Sequence, residues 1–151
     1  MDTAIDLDFA DGRYRFWLPL PQIMELERKT DASILTIEER LRGSIGAEGS
    51  KDDPTFLFIG GGSATIADVR ETIRLGIIGG DNAVVEGQEI EVGPNLARSL
   101  VDNYVYPARP MAEGVVLAWR ILHAAIHGVQ LSDKKKAESE PGEMNDSEKG
   151  K

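Results

Sequence analysis

His123 and His127 stand one helical turn apart in a long apolar stretch, the spacing of two zinc ligands on a helix. Ala124 occupies the place where a zinc hydrolase carries its glutamate, and the sequence suggests no third ligand nearby. Two histidines close to a helix C-terminus, where the dipole favours their charged form, are the better reading. The run Phe56-Leu57-Phe58-Ile59-Gly60-Gly61-Gly62-Ser63 sets three glycines between an apolar stretch and an amphipathic one. In such loops backbone N–H groups at a helix N-terminus can cradle phosphate. No Lys-Ser/Thr follows as in a Walker loop, and Gly60, Gly62 and Thr65 miss the third glycine of a dinucleotide fingerprint, so a connector is favoured over a nucleotide site. Glu38-Glu39 and Asp52-Asp53 are adjacent in sequence, which turns their side chains apart, unlike the facing carboxylates of a hydrolase. No serine sits in a nucleophile elbow. The expectation is a non-enzymatic chain with no catalytic residue, no cofactor and no metal.

The 151 residues include 17 Lys+Arg against 26 Asp+Glu, a formal net charge of −9. That balance disfavours binding along a nucleic-acid backbone, which needs a local basic patch. The one dense basic run, Lys134-Lys135-Lys136, is offset by Asp133, Glu138, Glu140 and further acidic neighbours. The chain has no cysteine, which excludes disulfides, thiolate zinc sites and cysteine nucleophiles and suits a reducing compartment. Its first residues lack the basic flank and apolar run of a signal peptide, so a cytoplasmic location is expected.

The elements around these residues follow from periodicity. Ile5, Leu7 and Phe9 alternate with Asp6 and Asp8, then Tyr14, Phe16 and Leu18 alternate with Arg13, Arg15 and Trp17. An Asp11-Gly12 turn between them predicts a β-hairpin with Phe9 opposite Tyr14, Leu7 opposite Phe16 and Asp8 opposite Arg15. Pro21 opens a helix to about Lys29, and a second short helix carries Ile34, Ile37 and Leu41, capped at Ser33 or at Thr36 with Glu39. Residues 43–93 hold 11 of the 16 glycines. Within them Gly43 to Pro54 reads as a flexible insertion and Thr55 to Ile59 as a short strand. Ala64 to Ile78 is a helix with a Thr65/Asp68 box and a Gly79-Gly80 stop. Val84-Val85 and Ile90-Val92 flank Glu86-Gly87, as a small hairpin or an extended loop. Pro94 opens a helix to about Val105.

The last helix, Met111 to about Val129, gathers Glu113, Arg120, His123 and His127 into an arc of roughly 80° at about 100° per residue. The rest of its circumference is apolar, so it is either the central core element or a helix with surface to spare for a partner. Arg120 and the histidines argue against a membrane span. The fold class expected is α+β, an N-terminal antiparallel hairpin followed by a bundle of four to five helices, with short extra strands in the glycine-rich middle. Residues 1–131 form one globular domain and 132–151 a disordered polar tail.

The order of segments carries a family resemblance. A strand pair precedes a helix with Gln22-Ile23-Met24-Glu25-Leu26-Glu27; a middle helix runs from Asp68-Val69-Arg70 through Leu75-Gly76-Ile77-Ile78-Gly79-Gly80; a last helix holds Leu117-Ala118-Trp119-Arg120-Ile121-Leu122-His123-Ala124-Ala125-Ile126-His127-Gly128. This resembles the gene-transfer-agent family of small phage tail proteins, described as tail tube proteins or tail assembly chaperones, over about Asp6 to Gly128. Ile23, Leu26, Leu75, Gly79, Gly80, Leu122 and Gly128 are the positions that match. The stretches Gly43–Ser63 and Asp81–Gly93 are longer than the family's connectors. The resemblance implies a cytoplasmic tail assembly chaperone in a bacterial host cell, which binds the tape-measure protein or another tail protein through apolar helix surface. Ile23, Leu26, Val116, Trp119 and Ile126 are the expected contact residues. Self-association is compatible; nucleic acid and membrane are not expected partners. The alternatives are a tail tube or other virion structural subunit, and a small ligand-binding protein using the Gly60–Gly62 loop.

Overall fold

The computed structural model describes residues 2–129; the polar tail expected over 132–151 lies outside the described residues. The fold is α+β. Strands β1 (Ile5–Phe9) and β2 (Gly12–Phe16) form the N-terminal antiparallel hairpin, and α1 (Leu20–Thr30) and α2 (Ile34–Arg42) follow. A second hairpin, β3 (Ile45–Gly49) and β4 (Pro54–Phe58), leads into α3 (Ile66–Gly80). Then come β5 (Ala83–Val85), β6 (Gln88–Ile90), α4 (Pro94–Tyr104) and α5 (Met111–His127). The sheets are β1-β2-β5-β6 and the separate pair β3-β4.

The first hairpin keeps the expected pleat with a different register. Leu7 lies opposite Tyr14, Ile5 opposite Phe16 and Asp8 opposite Arg13, so Ala10-Asp11 makes the turn in place of Asp11-Gly12. A two-residue slip leaves every side chain on its own face, and the apolar pattern therefore could not resolve it. Gly12 serves a different purpose: a Cβ there would collide with the Val84 carbonyl of β5, which passes close beside β2.

Helix capping follows the sequence closely. Ser33 Oγ accepts the Thr36 N–H at 3.1 Å, and at α3 Thr65 and Asp68 form the reciprocal box. Helix α3 ends at the expected glycine pair, with Gly79 and Gly80 as its last two residues and Asp81 in the left-handed conformation as the cap. Their absent side chains let α3 lie directly on β2. A Cβ on Gly79 would fall inside the Trp17 carbonyl and one on Gly80 inside the Arg15 carbonyl. One turn earlier, the Gly76 carbonyl accepts the Trp17 N–H at 3.0 Å.

The expected centre also moves. Helix α3 packs on α1, α4, α5 and β2, and so takes the place foreseen for the last helix. Ile73, Ile77, Phe16, Leu26, Leu41, Ile121 and Leu122 are fully buried around it. Gly43 to Pro54, expected to be a flexible insertion, holds β3 and the start of β4, and Glu86-Gly87 turns a true hairpin with both residues at positive φ.

Two substitutions test this packing. Gly80→Ala must displace α3 or β2 and is expected to cost about 1–3 kcal/mol or more. Leu122→Ala leaves a cavity in a fully buried position and is expected to cost about 2–5 kcal/mol. Urea denaturation reads both, with an unmoved midpoint the contrary result for either.

Candidate functional site

The residues that could do chemistry are drawn into structural work. At the glycine loop, the N-terminus of α3 already holds a carboxylate: Asp68 is fully buried, accepts the Thr65 N–H at 2.9 Å and pairs with Arg40 at 3.2 Å. The place a phosphate would take is occupied by charge of the same sign. Gly60, Gly61 and Gly62 all have positive φ, and Gly62 lies against the Arg40 carbonyl and Ser44, so the loop wraps the end of α2.

The two histidines belong to an aromatic row. Phe56 meets Trp119 edge-on at 4.9 Å between ring centroids, Trp119 lies 4.8 Å from His123, and His123 lies 4.5 Å from His127. The Arg120 guanidinium caps the row 5.7 Å over the Phe56 ring. Beneath it the buried Glu38 carboxylate accepts from Trp119 Nε1 at 3.1 Å and from Arg42 Nε and Nη2 at 2.9 and 3.0 Å. Burial works to raise the Glu38 pKa, but the hydrogen bonds from Arg42 and Trp119 outweigh it and hold the carboxyl below its usual range. For His123, burial, joined by the neighbouring His127, pushes the pKa down against the opposing pull of Glu38. Among the described residues no three potential ligands come together around a metal position.

This row corrects the expected contact face. Of the five residues placed there by sequence, Trp119 is 7% exposed and Leu26 0%, both in the core. The β3–β4 hairpin supplies the cover: it lays Phe56 on the face of α5 that a flexible insertion over residues 43–54 would leave bare. Ile23, Val116 and Ile126 are half-buried. Val116 sits inside the arc of Glu113, Arg120 and His123, beside polar groups.

Exposed apolar side chains stand one face further round α1. Leu20 and Met24 are 68% and 62% exposed, and Glu27 follows them at i+7 on the same face. Glu27 Oε2 accepts the Ile34 N–H at 2.9 Å, which brings the first turn of α2 to the end of that face. There Leu35 is 63% exposed. Leu20 and Met24 thus share one face of α1, bordered by Ile23, and Leu35 stands in the first turn of α2 beyond its end. Sequence reasoning missed them because a helix wheel shows which residues are apolar but not which neighbour covers them.

Two concave regions carry mixed charge. A cleft of about 410 Å³ between the β1–β2 turn and the α4–α5 junction is lined by Phe9, Tyr104, Val105 and Leu117. Arg109 and Glu113 pair at its rim at 3.0 Å. The other joins Lys29, Arg70, Arg74 and Arg98, with Arg70 held by Asp102 at 2.6 Å and Arg74 by Glu71 at 2.6 Å. No described helix is long and apolar enough to cross a membrane. No family model, curated protein or solved structure matches this chain.

The depressed His123 pKa carries a sign. Its stabilising contribution is complete above the unfolded value of about 6.5 and is lost as pH falls through the lower folded value. That of Glu38 goes in a more acidic window, below the ordinary carboxylate range. Melting midpoints measured from pH 8 to about pH 5 are expected to fall on the acid side, and His123→Phe is expected to flatten that slope. An unchanged slope in the variant is the contrary result.

Proposed function

We propose that this chain is a non-enzymatic component of phage or prophage tail assembly, acting in the bacterial cytoplasm. It shields an amphipathic helix of a tail protein, the tape-measure protein foremost, on the exposed side chains of Leu20, Met24 and Leu35. The observation that carries this reading is three large apolar side chains, each more than three-fifths exposed, two on one face of α1 and one in the first turn of α2, beside a core that is fully buried. Exposed apolar patches of this kind mark interaction surfaces, and an amphipathic helix lays its own apolar face on such a surface. The segment order resembling small phage tail proteins points to the partner, and the net charge of −9 suits a cover that keeps a sticky helical chain soluble.

The test is co-expression with an amphipathic fragment of a phage tape-measure protein. The protein is expected to raise the fragment's soluble yield and to co-purify with it. Leu20→Asp with Met24→Asp is expected to abolish both effects while changing stability by no more than about 0.5 kcal/mol for each surface position. A fragment equally soluble alone, or a complex that survives the double substitution, contradicts the proposal.

A further inference from the structure

The β3–β4 hairpin leaves one of its edges open in an unusual way. Ile59 donates its N–H to the Ser44 carbonyl at 2.8 Å, and the two continue the register in which Ile45 faces Phe58, Gly46 faces Leu57 and Ala47 faces Phe56. Opposed residues in an antiparallel ladder alternate between pairs that exchange both backbone bonds and pairs that exchange none. Thr55 and Leu57 therefore aim their N–H and C=O groups at β3, and Phe56 and Phe58 aim theirs outward. Among the described residues β3 is the only strand beside β4.

Native edge strands are kept from pairing by charges, prolines and bulges. In the four-stranded sheet the outer strand β1 carries Asp6 and Asp8, and the outer strand β6 carries Glu89. Strand β3 has Glu48 and two glycines. From Thr55 through Ile59, just past the end of β4, there is no charge, and the strand's proline stands at its first position only. Phe58 is 41% and Ile59 63% exposed. Phe56, packed on Trp119, fixes the strand to the body of the molecule.

We infer that two copies of this chain associate through the outer edge of β4, antiparallel about a two-fold axis at Leu57, joining two hairpins into one four-stranded sheet. A second copy fits this edge for reasons of charge and register. Each copy has a net charge of −9, so an uncharged segment is where two of them meet at least electrostatic cost. Pairing about Leu57 sets Phe56 opposite Phe58 of the other copy, twice, and these residues exchange all their outward N–H and C=O groups. The two Leu57 side chains meet on the opposite face, flanked by Thr55 against Ile59. Pro54 falls opposite Gly60, at the margin of the pairing. The two-fold axis makes the contact closed, so it ends at a dimer. This edge uses none of Leu20, Met24 and Leu35, and the inference stands independently of the helix-binding reading.

Sedimentation of the full chain over a concentration series is expected to show a monomer–dimer equilibrium. Phe58→Pro removes an outward N–H and Phe58→Lys puts like charges on the edge; neither touches a β3–β4 backbone bond. Both are expected to keep the circular dichroism of the parent and to weaken the dimer by about tenfold or more. In this cysteine-free chain, Leu57→Cys places the two thiols on a non-bonded antiparallel pair, within disulfide reach. It is expected to form a covalent dimer under mild oxidation, whereas Glu48→Cys on β3 is not. A chain monomeric at every concentration overturns the proposal, as does a dimer unaffected by both Phe58 variants, or cross-linking through Glu48→Cys and not through Leu57→Cys. If the Phe58 variants lose their fold, the two cysteine variants decide.

Discussion

The close approach of α3 to β2 sets the geometry of everything else. Gly79 and Gly80 let the last turn of the helix rest on the Arg15 and Trp17 carbonyls, and Gly76 accepts the Trp17 N–H, so helix and strand are joined by backbone. A helix held that near a sheet brings its other faces within reach of three more helices, and α3 packs on α1, α4 and α5 at once. Against α5 the same economy of side chains recurs: Gly76 meets Ile121, and Gly114 meets Val69. The small residues fix distances, and the large ones around them, Phe16, Ile73, Ile77 and Leu122, fill the space that those distances leave.

With α5 pressed on α3 from one side, its other flank needs a cover, and the β3–β4 hairpin supplies it. Phe56 closes over Trp119, whose indole N–H reaches the buried Glu38 carboxylate of α2. The carboxylate stays charged because Arg42 grips it with two further bonds, each strengthened by the charge. One polar group thereby ties α2 to α5 beneath an otherwise apolar row. With this flank closed, exposed apolar side chains remain on α1 and α2, where Leu20, Met24 and Leu35 are more than three-fifths exposed.

Local signals were legible wherever one segment decides its own conformation. The alternation of Ile5, Leu7 and Phe9, the Ser33 cap and the Thr65/Asp68 box each act within a few residues, and each appears in the structure. What escaped was set across the fold. The Gly79-Gly80 pair looks the same whether it only stops a helix or also lets it touch a strand; only the position of β2 distinguishes the two. The segment from Gly43 to Pro54, with three glycines and Lys51, Asp52 and Asp53, has little strand propensity, and its hairpin rests on α5. Without that hairpin nothing local covers Trp119, and its ring reads from sequence as part of a binding face.

The central claim is that a helical partner binds on α1 and α2 and not on α5. Two methionines of the described fold report on these places: Met24 is exposed on α1, and Met111 is the half-buried first residue of α5. Methyl NMR of methionine-labelled protein, titrated with an amphipathic fragment of the tape-measure protein, follows both at once. The account predicts that the Met24 methyl resonance shifts and saturates while that of Met111 holds still. A saturating shift at Met111 with Met24 unmoved would contradict it.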